Sequence, residues 1–196
     1  GIMEAWRQAM GRLNTPILPG YSSSGVILDV GDGVEGFAAG DRVACSGSGY
    51  AGHTQVALVP ANLCVKMPTG VGFDAGAFVA LGGIALEAVR MADVSLGSTV
   101  AVIGLGLLGQ LAVQLLDAAG CRVVGMDLDP GKVELALSHG AEAATSDYAS
   151  FASAIGAITS GQGADAAIIL AATSSNEPLE QAAEVWAWLQ RGAHVY

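Results

Sequence analysis

Gly104-Leu105-Gly106-Leu107-Leu108-Gly109 follows the apolar run Val100 to Ile103 and opens the helical pattern Leu107 to Ala119, which Gly120 closes. Few architectures accept that order of strand, side-chain-free bend and helix. In a chain with 28 glycines the spacing alone is a weak signal, and its place between strand and helix gives it content. Gly104 permits the tight turn. Gly106 lets backbone approach a diphosphate with no Cβ in the way, and Gly109 lets the helix pack against the strand. The diphosphate then sits at the positive end of the helix.

The alternation continues downstream. Strands are expected at Arg122 to Met126, Ala143 to Thr145, Ala166 to Leu170 and Ala193 to Tyr196. Helices are expected at Pro130 to Ser138, Tyr148 to Thr159 and Pro178 to Gln190. Strands that alternate with helices imply right-handed crossovers and a parallel sheet. Their unbroken apolar character implies helices on both faces. The fold class is α/β, a Rossmann doubly wound parallel sheet.

The second strand ends at Asp127, at the spacing of about 20 residues where an acid meets the adenosine ribose. A carboxylate there accepts hydrogen bonds from ribose hydroxyls and repels a 2′-phosphate, which favours NAD over NADP. Lys132, one turn on, either reaches the same ribose or is a solvated helix-face lysine. Ala171, Ala172 and Thr173 follow a strand end, where open parallel sheets bind ligands; they flank the nicotinamide or form an ordinary loop. The expected cofactor-binding set is Gly104, Leu105, Gly106, Leu107, Leu108, Gly109, Asp127, Lys132, Ala171, Ala172 and Thr173.

Upstream the pattern differs. Gly1 to Leu13 spaces Ile2, Trp6, Met10 and Leu13 as a short amphipathic helix. From Gly20 to Pro68 come short strands: Val26, Leu28 and Val30 in alternation, then Val43, Val56 to Val59, and Leu63 to Met67. Gly31-Asp32-Gly33, Ala39-Gly40-Asp41 and Ser46-Gly47-Ser48-Gly49 supply turns between them. Asp74 is the expected cap of a helix over Ala75 to Met91.

Charge narrows the functional classes. The net charge is −10, and a surface of that sign repels nucleic-acid phosphates. A small diphosphate can still bind locally at a helix N-terminus. No apolar run reaches bilayer-spanning length and no signal-peptide pattern opens the chain, so a cytoplasmic protein with no membrane partner is expected. Cys45, Cys64 and Cys121 form no C-x-x-C pair, and no metal site is expected. His53 is a proton relay or an ordinary strand histidine, His139 suits a helix C-terminus, and nothing links His194 to either. Tyr21, Ser22, Ser23, Ser24, Ser46 and Ser48 contact a hydroxylated substrate or serve turns and strand ends.

Several segments together resemble the medium-chain dehydrogenase/reductases, the family of zinc alcohol dehydrogenases and quinone reductases. They are Gly20-Tyr21-Ser22 with Gly25-Val26, Val30-Gly31-Asp32-Gly33-Val34, Gly40-Asp41-Arg42-Val43, Gly49-Tyr50-Ala51, the glycine motif and Asp127. The resemblance runs from Gly20 to the end. It implies that 20–72 is part of a small GroES-like β domain and 73–196 a cofactor domain short of its last strand, after an N-terminal helix and linker at 1–19. Arg12-Leu13-Asn14-Thr15-Pro16 leading into Leu18 to Gly25 is similar to two-part bacterial oxidoreductases, which implies an excerpt of a longer protein.

Departures from the family bear on its chemistry. Zinc members have Gly-His-Glu where this chain has Gly20-Tyr21-Ser22, no Cys, His or Asp stands near Val79, and the four-cysteine structural loop is missing. The resemblance therefore implies fold and cofactor, not zinc chemistry, and identifies no catalytic residue. The expected function is a zinc-independent, NAD(H)-dependent oxidoreductase for a small alcohol, carbonyl or sugar derivative. The rival is a non-catalytic cofactor-binding or assembly module of a larger protein. A sheet ending at Ala193 to Tyr196 leaves an edge that another chain must pair or cover, so a homo-oligomer is expected.

Overall fold

The computed structural model describes residues 19–186, which fall into two units, one up to Leu81 and one from Gly82 onward. The helix expected over Gly1 to Leu13 and the strand and sheet edge expected at Ala193 to Tyr196 lie outside the described residues, as do 187–190 of the helix expected to reach Gln190. That helix is already broken at Trp186, which is extended and bridged in parallel to Ala164.

In the first unit the glycine-punctuated segments pair as an antiparallel sheet in the order β1 (Ser22–Val26), β2 (Arg42–Ser46), β3 (Cys64–Lys66). Val43, Cys45 and Ala51 form its small core, with Ile27, Phe37, Val59 and Cys64 packed against them. Two expected strands move or vanish. The alternation Val26-Leu28-Val30 lies at and beyond the end of β1, and Leu28 is 71% exposed, so it has no inner face to serve. Val56 to Val59 is irregular, with Leu58 92% exposed. β-branched residues favour strands only where a partner and a packed face exist.

The helix expected over Ala75 to Met91 is two helices, α1 (Phe73–Gly76) and α2 (Val79–Met91). Gly72 is the N-cap of α1, and Asp74 lies inside its first turn rather than capping it. Ser22 of β1 sits at the break. Its hydroxyl donates to the Ala77 carbonyl at 2.6 Å and accepts from the Ala80 N–H at 3.1 Å. Two backbone groups that a continuous helix would pair internally are satisfied by one side chain. Ser24 donates likewise to the Phe73 carbonyl at 2.6 Å.

The second unit alternates as its sequence dictates. It runs β4 (Thr99–Ile103), α3 (Leu107–Ala118), β5 (Arg122–Met126), α4 (Pro130–Ser138), β6 (Ala143–Thr145), α5 (Tyr148–Thr159), β7 (Ala166–Ile169), α6 (Glu177–Val185). The strands are parallel in the order β6-β5-β4-β7. Every residue of β4 is buried. Val100 and Val102 pack with Val113 and Leu116 of α3 and Ala136 of α4; Ala101 and Ile103 pack with Phe151 and Ile155 of α5 and Ala182 of α6. Burying a side chain such as Phe151 contributes about 2–3 kcal/mol before entropic costs. Gly120 ends α3 at φ +75°, a conformation that costs glycine little. Asp129 and Asp147 cap α4 and α5 through the N–H groups of Gly131 and Ser150, each at 2.9 Å. Among the described residues, no helix is long and apolar enough to cross a membrane.

Ser22→Ala removes both bonds at the helix break without changing β1. It should cost about 1 kcal/mol, by analogy with a lost cap. Chemical denaturation reads this as a lower midpoint, and an unchanged midpoint would mean that water replaces the hydroxyl.

Candidate functional site

The chain runs from β4 outward through β5 and β6, then returns to place β7 on the other side of β4. At such a reversal the loops beyond the strand ends diverge and leave a crevice. A cleft of about 720 Å³ lies there. Gly104, Gly106, Asp127, Lys132, Ala171, Ala172 and Thr173 line it, so seven residues singled out in the sequence share one cleft. Leu105, Leu107, Leu108 and Gly109 are not among its lining residues. The Leu105 side chain is fully buried, and Leu107 and Leu108 form the first turn of α3.

The three motif glycines differ in what surrounds them. Gly104 has φ +96°, and a Cβ there would lie 2.4 Å from the Ala171 nitrogen. Gly109 faces the strand end, where a Cβ would come within 2.1 Å of the Gly104 carbonyl oxygen. A Cβ on Gly106 would meet nothing within 4 Å among the described residues. Two glycines therefore let backbone meet backbone, and the third borders open space. Gly106 is also the N-cap of α3, so no side chain caps that first turn.

Asp127 ties the next strand to the glycine loop. Its Oδ2 accepts the Leu105 N–H at 2.8 Å, and Oδ1 accepts the Asp129 N–H at 3.0 Å and the Lys132 ammonium at 3.4 Å. Its side chain is 14% exposed. Burial opposes the charge, but the Asp129 and Leu105 N–H groups and the nearby Lys132 together outweigh it and hold the carboxyl below the usual aspartate range. Lys132 is thus engaged at Asp127, not merely solvated.

Gln110 carried no sequence signal and proves central. It is buried, and its Nε2 donates to the Leu105 carbonyl at 3.0 Å and the Lys132 carbonyl at 2.9 Å. Its Oε1 lies 3.0 Å from Nδ1 of His139, which ends α4. One amide fastens the glycine loop to the helix that carries Lys132. Leu128, Tyr148 and Gln181 also line the cleft, and the Tyr148 hydroxyl donates to Glu184. Burial, then that carboxylate, pushes the Tyr148 phenol up to about 12, so it stays protonated.

The remaining described candidates belong to the first unit. The His53 ring packs on Gly20, where an added Cβ would lie 2.5 Å from it. Ser22 and Ser24 direct their hydroxyls to helix carbonyls. Tyr21 is 44% exposed. His194 lies outside the described residues. Among the described residues no group of three or more His, Cys, Asp or Glu side chains could hold a metal ion.

Two family descriptions match the sequence. Residues 2–69 match the alcohol dehydrogenase GroES-like domain, and residues 108–187 match the zinc-binding dehydrogenase. The chain is 34% identical to a putative alcohol dehydrogenase D of Mycobacterium tuberculosis, with 87% of this chain and 60% of that protein covered. Galactitol-1-phosphate dehydrogenase of Escherichia coli has a similar fold, with TM-score 0.74, 25% identity and coverage of 87% and 57%. So does a mycobacterial protein complexed with NADPH, with TM-score 0.66, 26% identity and coverage of 80% and 51%. The chain spans 60% or less of the length of these proteins.

Gly109→Ala should destabilise the second unit by several kcal/mol, because the obstructing atom is backbone. Gly106→Ala should cost about 1 kcal/mol or less. Equal losses in thermal unfolding would contradict the difference in their surroundings. Asp127 adds a pH term. Its folded-state pKa is depressed, so its contribution is complete above the ordinary aspartate value of about 3.9 and disappears as pH falls through the folded value. The stability gap between wild type and Asp127→Asn should be full at neutral pH and close below about pH 4; a gap constant with pH would remove the charge from the account.

Proposed function

Because the chain belongs to the medium-chain dehydrogenase/reductase family, we propose that it binds NAD(H) in the cleft between β4, β5 and β7 and is part of a zinc-independent oxidoreductase. The substrate is a small alcohol, carbonyl or sugar derivative. The charged Asp127 at the tip of β5 carries the cofactor choice. Its Oδ1 already meets the Asp129 N–H and Lys132, while among the described residues Oδ2 meets only the Leu105 N–H and keeps an acceptor position for a ribose hydroxyl. A 2′-phosphate at the same place meets a carboxylate held in its charged form. The mycobacterial protein with NADPH means that the fold alone does not decide this, so the preference for NAD rests on Asp127.

The open space at Gly106 suits a diphosphate beside the uncapped first turn of α3. Ala171, Ala172 and Thr173 line the same cleft, and their small side chains suit the nicotinamide ring. The bound nicotinamide supplies the hydride chemistry, and the chain supplies orientation and charge. Tyr21 stands where zinc members of the family have histidine, and the described residues do not fit a metal site, so no step is assigned to a metal. The same substitution favours a second reading, a cofactor-binding or assembly module without catalysis.

Calorimetric titration with NAD, NADH and NADP tests the cofactor. NAD and NADH should bind more tightly than NADP, and Gly106→Ala should weaken NAD at least tenfold, about 1.4 kcal/mol, while still folding. Tighter NADP binding would overturn the assignment to Asp127. Hydride transfer by the longer parent protein over a panel of carbonyls and alcohols separates enzyme from module: tight NAD binding without turnover would favour the module.

A further inference from the structure

Cys45 and Cys64 belong to adjacent strands and stand directly opposite each other in the antiparallel register of β2 and β3. The Met67 N–H donates to the Arg42 carbonyl at 2.9 Å, which makes Arg42 and Met67 a hydrogen-bonded pair. Counting along the register, Ala44 and Val65 form the next such pair, and Cys45 with Cys64 falls on a non-hydrogen-bonded one. Opposed residues of that type approach most closely, with Cα atoms about 4.5 Å apart, inside the range that a disulfide spans. The two sulfurs are 3.6 Å apart, and both cysteines are free.

The pair is also reachable. Cys45 and Cys64 line a cavity of about 440 Å³ in the first unit, with Val26, Val43, Phe37 and Leu58 among its walls. Cys45 is buried, whereas Cys64 is only partly so. Cys121 lies in the second unit, buried, with its thiol on the Ser95 carbonyl.

We propose that Cys45 and Cys64 form a dithiol modification site that a small disulfide closes into a cross-strand bond. The Cys64 thiolate attacks one sulfur of the incoming disulfide, forms a mixed disulfide and expels a thiolate. Cys45 then attacks the Cys64 sulfur, its sulfur–sulfur bond replaces the mixed one, and its proton leaves with the second thiolate. Two protein thiols are oxidised and one external disulfide is reduced to two thiols. Burial, then the neighbouring Cys64, pushes the Cys45 thiol up to about 12, which makes the more open Cys64 the first to react. An uncharged disulfide suits the apolar walls.

The test treats the folded chain with hydroxyethyl disulfide and maps cysteines by mass spectrometry of unreduced peptides. Two of three thiols should be lost, Cys45 and Cys64 should appear in one linked peptide, and Cys121 should remain free. Cys45→Ser should stop the reaction at a lasting mixed disulfide on Cys64. A wild-type chain that keeps the mixed disulfide on Cys64, that links either cysteine to Cys121, or that loses no thiol would overturn the proposal. Should Cys45→Ser fail to fold, limiting iodoacetamide on the wild type replaces it. Alkylation at Cys64 first, with loss of the linked peptide, supports the order; alkylation at Cys45 first refutes it.

Discussion

Everything in the second unit hangs on how closely α3 meets the end of β4. The space between Gly109 and the Gly104 carbonyl has no room for even one methyl group. That contact fixes where the helix begins, and hence where its N-terminal amides stand relative to the strand tip. The tip is then held from three sides. Its N–H at Gly104 donates to the Met126 carbonyl at 2.8 Å, Asp127 takes the Leu105 N–H, and Gln110 takes the Leu105 carbonyl. A loop that lacks side chains could wander; this one has its backbone groups claimed by neighbours on β5 and α3.

The sequence made the second unit legible because its signals agree at several levels. Apolar strands, the glycine bend that opens α3 and Gly120 that closes it all mark the same boundaries. The first unit was harder to read. Its strands are short, and side chains at Leu28 and Leu58 look strand-like yet find no packed face. The break between α1 and α2 was invisible, since it depends on a serine more than fifty residues away. No local rule contains that information.

The site shows the same division. Gly104, Gly106 and Asp127 announce themselves through spacing, because the chain geometry they serve is local. Gln110 does not, because glutamine on a helix normally faces water. Its role comes from burial among the Leu105 carbonyl of the glycine loop and, from α4, the Lys132 carbonyl and the His139 ring. The serines read either as substrate contacts or as turn and strand-end groups, and Ser22 and Ser24 support helix carbonyls from a strand.

Gln110 leaves little freedom for change at its position. Two carbonyl oxygens demand two N–H donors on one nitrogen, and the same group must turn an acceptor toward an imidazole. Glutamate would present oxygen to both carbonyls, leucine would strand them, and asparagine is one methylene too short to span the same gap. A position that looks replaceable on a helical wheel therefore has no conservative neighbour among the twenty amino acids.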